Sequence, residues 1–160
     1  SSPSTVDGLD VETDMGPVEV GAGETLDVNG ETIDFTPVSV GNPHAVIRRE
    51  PGSEDLRRLG PLVEHHPRFP ERTNVQLVRV DSEREVTVAV WERGAGETLS
   101  SGTSAVAASA AAVANGWCDS PVTVHLAGGD LRAELDAGTA RLIGPAEEIC
   151  TVELAEEFAL

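Results

Sequence analysis

The chain has no lysine and no tyrosine, and aromatic residues make up only 3% of it. All 11 basic residues are arginines, against 28 aspartates and glutamates, for a net charge of −17. A chain so short of positive charge has no basic patch to neutralise phosphates, which excludes nucleic acid and anionic membrane surfaces as partners. It fits a solvated acidic surface, and an anionic ligand would have to be met by local donors. Long apolar runs are lacking as well. No basic start precedes an apolar stretch, so no secretory leader is expected. The longest stretch free of charge and histidine, Thr98 to Cys118, is long enough for a membrane span. Its content of Ser, Thr, Gly, Asn and mostly Ala reads instead as a buried helix of a soluble protein. Cysteine is scarce. Cys118 and Cys150 stand far apart without metal-ligand spacing, so both read as small buried thiols in a reducing cytoplasm.

The 160 residues suffice for one domain with a core, or for one lobe of a larger enzyme. The chain begins at Ser1 rather than Met, which suggests a fragment. Residues 1–13 are expected to form a mobile segment and residues 155–160 a tail, with the folded lobe between, at 14–154.

Strand signals dominate. Val75 to Val80 and Glu85 to Trp91 flank Asp81-Ser82-Glu83 as a hairpin, and Val122 to Leu126 and Leu131 to Leu135 flank Ala127-Gly128-Gly129-Asp130 as a second. Arg141 to Ile143 follows the Asp136-Ala137-Gly138 turn, and Ile149 to Leu154 reads as a last strand. Pro17 to Val20, Thr32 to Phe35 and Val38 to Val40 read as short strands between Gly-rich turns. Ser53 is placed to cap a helix with Glu54 and Asp55 in its first turn and Leu56, Leu59, Leu62 and Val63 inward; Gly60-Pro61 should bend or split it. A second helix should start near Gly102 and stop at Asn115-Gly116. Seven of the ten residues from Ala105 to Ala114 are alanine. Such a helix has no charged face and must be buried on most sides. The expected architecture is therefore α+β: a mixed, curved sheet wrapped around a central Ala-rich helix.

Three segments carry residues that a plain core does not need: Gly41-Asn42-Pro43-His44, Arg72-Thr73-Asn74-Val75, and Trp91-Glu92-Arg93-Gly94-Ala95-Gly96-Glu97-Thr98 running on through Ser100 to Ser104. The third leads a Gly-rich turn into a helix start. Free amides at Ser101, Gly102 and Thr103, with the helix dipole, make an anion site that needs no lysine. They would also stabilise negative charge developing beside a bound carboxylate. The same pattern fits a capped helix after a turn. Glu92 and Arg93 equally fit a surface ion pair, Asn42 and Asn74 turn residues, and His44 a structural histidine. His65-His66 has no third ligand at a recognisable spacing, so no metal site is expected. His125 reads as a sheet-face residue.

Together and in this order, the three segments resemble the C-terminal domain of the diaminopimelate epimerase family, with the Gly128-Gly129 hairpin and Gly144-Pro145-Ala146 also fitting. The resemblance implies two similar lobes that close on the substrate, LL- or meso-diaminopimelate of the lysine pathway, without pyridoxal phosphate, metal or any other cofactor. It implies two thiols, one per lobe, on opposite faces of the α-carbon, acting as acid and base; a thiol of pKa about 8.5, lowered at a helix N-terminus, suits that role. Asn42, Asn74, Glu92 and Arg93 would hold the distal amino and carboxylate groups. His44 and Glu92 would set the ionisation of the catalytic pair, and the amides around Ser101, Gly102 and Thr103 would bind the reacting carboxylate.

Two departures from the family pattern stand out. Ser101 occupies the position of this lobe's catalytic cysteine, and Ser104 that of a usual glycine; the N-terminal lobe is not among these residues. The implied partners are diaminopimelate, the missing lobe and a possible homodimer mate, and the isolated chain is expected to be inactive. Ser101 also admits a related racemase or dehydratase acting on another amino acid. A third reading is a lobe that only binds a ligand or a partner.

Overall fold

The computed structural model describes residues 9–146, 149–151 and 153. Its elements run β1 (Leu9–Pro17), β2 (Glu19–Val20), β3 (Glu24–Val28), β4 (Glu31–Ser39), β5 (Pro43–Arg48), α1 (Ser53–Glu64), β6 (Asn74–Ser82), β7 (Glu85–Glu92), β8 (Gly96–Thr98), α2 (Gly102–Ala114), β9 (Val122–Leu126), β10 (Gly129–Asp136) and β11 (Thr139–Ala146). Both expected hairpins are present, as β6 with β7 and β9 with β10, and β11 follows the Asp136–Thr139 turn.

The main path of the sheet is β1-β11-β10-β9-β7-β6-β5-β4-β2, with β3 on β4 and β8 on β7. The pairs β5 with β6 and β7 with β9 are parallel and the others antiparallel, so the sheet is mixed. The outermost strands, β1 and β2, are consecutive in the chain. Val18 alone separates them, its N–H bonded to Gly138 O at 2.8 Å. The two margins therefore meet, and the sheet curls almost closed around α2. Every α2 residue from Ser104 to Ala112 is buried. Alanine makes this possible, because its side chain lets strands approach a helix closely on all sides.

Strands β5, β6 and β7 serve two cores by period-two alternation. Val46, Val78 and Val90 pack with α2, whereas Ala45, Leu77 and Trp91 pack with α1. Helix α1 lies on the outer face, with Leu56, Leu59 and Val63 buried.

Several expectations are corrected. Leu9 to Thr13 are strand and not a mobile segment, paired with β11 from Leu9↔Ala146 to Thr13↔Leu142. The alternating acidic side chains of Asp10, Glu12 and Asp14 disguised a strand whose backbone is satisfied by its neighbour. Residues 1–8 and the expected tail at 155–160 lie outside the described residues. Thr32 to Phe35 and Val38 to Val40 are not separate strands: β4 runs through Pro37, pairing first with β3 and then with β5 and β2. Ile149 to Thr151 and Glu153 are not strand, and Val152 and Leu154 lie outside the described residues. Gly52, not Ser53, is the N-cap of α1, and the Ser53 hydroxyl donates to Glu97 Oε1 at 2.7 Å. Helix α1 continues through Gly60-Pro61 and leaves Leu62 37% exposed. Gly60 is held there by packing, since a Cβ on it would lie 2.5 Å from Trp91 Cδ2.

Candidate active site

The N-terminal ends of β5 and β6 lie side by side, with His44 level with Asn74. The first turn of α2 packs against the inner face of these strands, and one hydrogen-bonded chain joins the three elements. Gln76 Nε2 donates to Ser104 Oγ at 3.0 Å and to His44 Nδ1 at 3.0 Å. The far ring nitrogen, His44 Nε2, bonds Asn42 Oδ1 at 2.9 Å. His44, Gln76 and Ser104 are buried. Burial pulls the His44 pKa down to about 4, and the nearby Arg93 charge reinforces this. His44 is therefore neutral at neutral pH. Gln76 Oε1 is buried and has no hydrogen-bond partner, a deficit that costs about 1–3 kcal/mol.

A second set of bonds fixes the Glu92-Arg93 turn. Asn74 Nδ2 donates to Pro43 O at 2.9 Å, and Asn74 Oδ1 accepts the Arg93 N–H at 2.9 Å. Asn74 thus clasps β5 to the end of β7, with one N–H and one lone pair left over. Arg93 Nη1 donates to Glu71 O at 3.1 Å. Among the described residues no carboxylate pairs with Arg93, in a chain with 28 of them. Glu92 Oε1 accepts from Thr98 Oγ1 at 3.0 Å, across the β7–β8 turn. That turn passes through Gly94 at φ +80°, a conformation only glycine takes without strain. Arg72, at φ +62°, makes the bend that leads into β6.

Buried Glu64 supports the turn from below. Its Oε2 accepts Trp91 Nε1–H at 2.8 Å and its Oε1 accepts Gly94 N–H at 2.9 Å. Burial alone would raise its pKa, but these hydrogen bonds and the charges of His65 and Arg72 outweigh that and lower it.

Helix α2 opens at Ser101, whose side chain makes no capping bond. The N–H groups of Gly102, Thr103 and Ser104 precede the first helical bond, Ala105 N to Ser101 O at 3.0 Å, so they have no intrahelical acceptor. The positive end of a helix without acidic residues in its first turn is thus presented beside Ser101. A groove of about 490 Å³ runs past Asn42 and His44 on the side of Arg68, Phe69 and Glu71.

Asn42, His44, Asn74 and the Arg93 amide accordingly belong to one bonded cluster that reaches the first turn of α2 through Ser104, and Glu92 borders it; among the described residues no side-chain bond ties Ser101, Gly102 or Thr103 to it. Sequence reasoning missed Gln76, Glu64 and Thr98. A lone Gln among valines on the α2-facing side of β6 was the one signal for Gln76. Cys118 is buried at the other end of α2, its Sγ 3.5 Å from Ser82 O, and burial followed by the Asp119 charge raises its pKa. Cys150, expected to be buried, is exposed. Among the described residues no group of three or more His, Cys, Asp or Glu is arranged for a metal. Among the described residues no helix is long and apolar enough to cross a membrane.

Comparison with known proteins gives the same picture. A family model for diaminopimelate epimerase matches residues 36–148. The chain is 47% identical over 137 residues to a diaminopimelate epimerase of Desulfitobacterium hafniense, covering 84% of this chain and 48% of that one. It is 43% identical to the one from Pseudomonas syringae pv. tomato, covering 78% and 50%. The chain thus spans about half the length of these relatives. The fold matches a probable proline racemase of Agrobacterium radiobacter with TM-score 0.69 at 15% identity, covering 92% of this chain and 54% of that one. It also matches a hydroxyproline epimerase of Agrobacterium vitis with TM-score 0.61 at 18% identity, covering 85% and 49%. With a match over residues 36–148 and the site segments joined in one cluster, the chain belongs to the diaminopimelate epimerase family.

Proposed function

We propose that this chain forms one wall of the active-site cleft of a cofactor-independent diaminopimelate epimerase, and that a second lobe supplies the other wall. The reaction inverts one α-carbon, converting LL- to meso-diaminopimelate in the lysine pathway of the cytoplasm. The reacting carboxylate binds the free amides of Gly102, Thr103 and Ser104, where the helix dipole also offsets charge developing as the α-proton leaves. Asn42, Asn74, Glu92 and Arg93 hold the distal amino and carboxylate groups. Ser101 takes the part of this wall's acid–base group, and His44 and Glu92 help set the ionisation of the catalytic pair. The observation that carries this reading is Arg93: its guanidinium donates to one backbone carbonyl and is left for an external carboxylate.

A hydroxyl is a far weaker acid than a thiol, so Ser101 gives slow proton return at best. With half of the cleft open to water, the isolated chain is inactive, and its exposed cleft face favours self-association, including a homodimer. The test is α-hydrogen exchange from deuterated solvent into diaminopimelate. The two-lobed protein should exchange and this chain alone should not; absence of exchange in the two-lobed protein refutes the reading.

Ser101 favours a second reading, a racemase or dehydratase of the same superfamily acting on another amino acid. A two-lobed protein that exchanges the α-hydrogen of amino acids lacking a distal carboxylate in preference to diaminopimelate would select it.

A further inference from the structure

We propose that Gln76 is a positioning residue that fixes His44 as its Nε2–H tautomer and thereby leaves the amide N–H₂ of Asn42 turned away from the ring as a free donor. The argument starts from the inventory of donors. The carboxamide nitrogen of Gln76 carries two hydrogens, and two acceptors lie at 3.0 Å from it, His44 Nδ1 and Ser104 Oγ. Both hydrogens are engaged, and the orphan is a single carbonyl, Oε1. Exchanging the nitrogen and oxygen would bury an NH₂ group with two unmet donors, a worse deficit than one unmet carbonyl. The observed orientation is therefore the favoured one.

Its consequences run outward bond by bond. Because Nδ1 accepts from Gln76, a neutral His44 must carry its proton on Nε2. Nε2–H then donates across 2.9 Å, so the Asn42 atom facing it must be the carbonyl oxygen Oδ1. Asn42 Nδ2 is left without a partner among the described residues, on a side chain that lines the groove of about 490 Å³. The wall thus offers a donor, suited to a carboxylate, where an Asn turned the other way would offer an acceptor, suited to an ammonium group. Gln76 touches no substrate in this scheme. It acts through His44, and through Ser104 it ties that choice to the first turn of α2.

The tautomer claim stands on geometry alone, whereas its effect on substrate binding rests on the proposed epimerase function. Two readouts keep them apart. In selectively ¹⁵N-histidine-labelled protein at neutral pH, long-range ¹H–¹⁵N correlation should show His44 with a bare Nδ1 and a protonated Nε2. In Gln76→Glu, whose carboxylate only accepts, the proton should appear on Nδ1. Wild-type His44 protonated on Nδ1, or a Gln76→Glu variant still bare there, overturns the proposal. In the two-lobed enzyme, Asn42→Asp keeps an acceptor for Nε2–H but removes the donor. KM for diaminopimelate should rise about tenfold or more, with a smaller change in kcat and no change in the His44 tautomer. An unchanged KM refutes the donor role. Because the nitrogen shifts need no turnover, a protein inactive on diaminopimelate would overturn the epimerase reading and leave the tautomer result intact.

Discussion

Lowering the pH from 7 to 4.5 is expected to destabilise the fold by about 2–3 kcal/mol through His44. The folded pKa is pulled to about 4 from an ordinary value of 6.5. Between those values the unfolded chain binds a proton that the buried ring refuses. The contribution is present above pH 6.5 and is lost as the pH falls through this window. No other resolved shift spans it. The lowered carboxylates Glu24, Glu31, Glu64, Asp81 and Glu97 start from 4.5 or 3.8, so their stabilisation begins to fall only at the acid end of the range, near pH 4.5. His125 is raised, first by its hydrogen bond with Asp130, so its contribution is lost as pH rises through its folded value, above 6.5. Urea unfolding at pH 7, 6, 5.3 and 4.5, followed by tryptophan fluorescence, should show a falling midpoint at constant m. For a chain of this size the matching thermal shift is about 5–10 °C. A His44→Gln variant should be less stable at pH 7 and should lose about 2–3 kcal/mol less than the wild type between pH 7 and 4.5. A flat wild-type profile, or an equal slope in the variant, refutes the reasoning.

Three other outcomes are expected. Gly60→Ala gains about 1 kcal/mol of helix propensity, but its Cβ meets the Trp91 ring, so the net result should be a loss of about 1–3 kcal/mol in urea unfolding. Glu64→Ala strips the acceptor from Trp91 Nε1 and Gly94 N, and should lose roughly 2–5 kcal/mol, with Glu64→Gln milder; a wild-type-like urea midpoint for Glu64→Ala would contradict this. Ser101→Cys in the two-lobed enzyme should raise the α-hydrogen exchange rate or leave it similar, as an acid of pKa about 8.5 replaces a hydroxyl; complete loss would show that the hydroxyl has a role of its own.

Elements whose signals are local were legible in the sequence. The alanine run and the Asn115-Gly116 stop located α2, and turn residues located the β6–β7 and β9–β10 hairpins. Strand β5 was missed, although it pairs antiparallel with β4 across the turn at Gly41, because His44 to Ile47 are buried on both faces and show no alternation, and its other partner β6 is parallel and lies 30 residues on, from His44 to Asn74. Strand β1 was missed because its partner β11 is at the far end of the chain. The candidate site was legible as three segments because glycines, prolines and unusual polar residues cluster there. What joins them was not. Gln76 bonds residues 32 and 28 positions away, and only folding shows which face of a doubly buried strand it occupies. Glu64 was unreadable for a similar reason: its partners Trp91 and Gly94 lie 27 and 30 positions on.

The closure of the sheet at Val18 has a mechanical consequence. A seam one residue wide, filled by a helix of methyl groups, allows the wall neither to spread nor to flatten. The amides at the mouth of α2 and the clasped Arg93 turn therefore travel together. In the two-lobed enzyme proposed above, admission of substrate and release of product would then come from one lobe swinging against the other, more than from flexing of this wall.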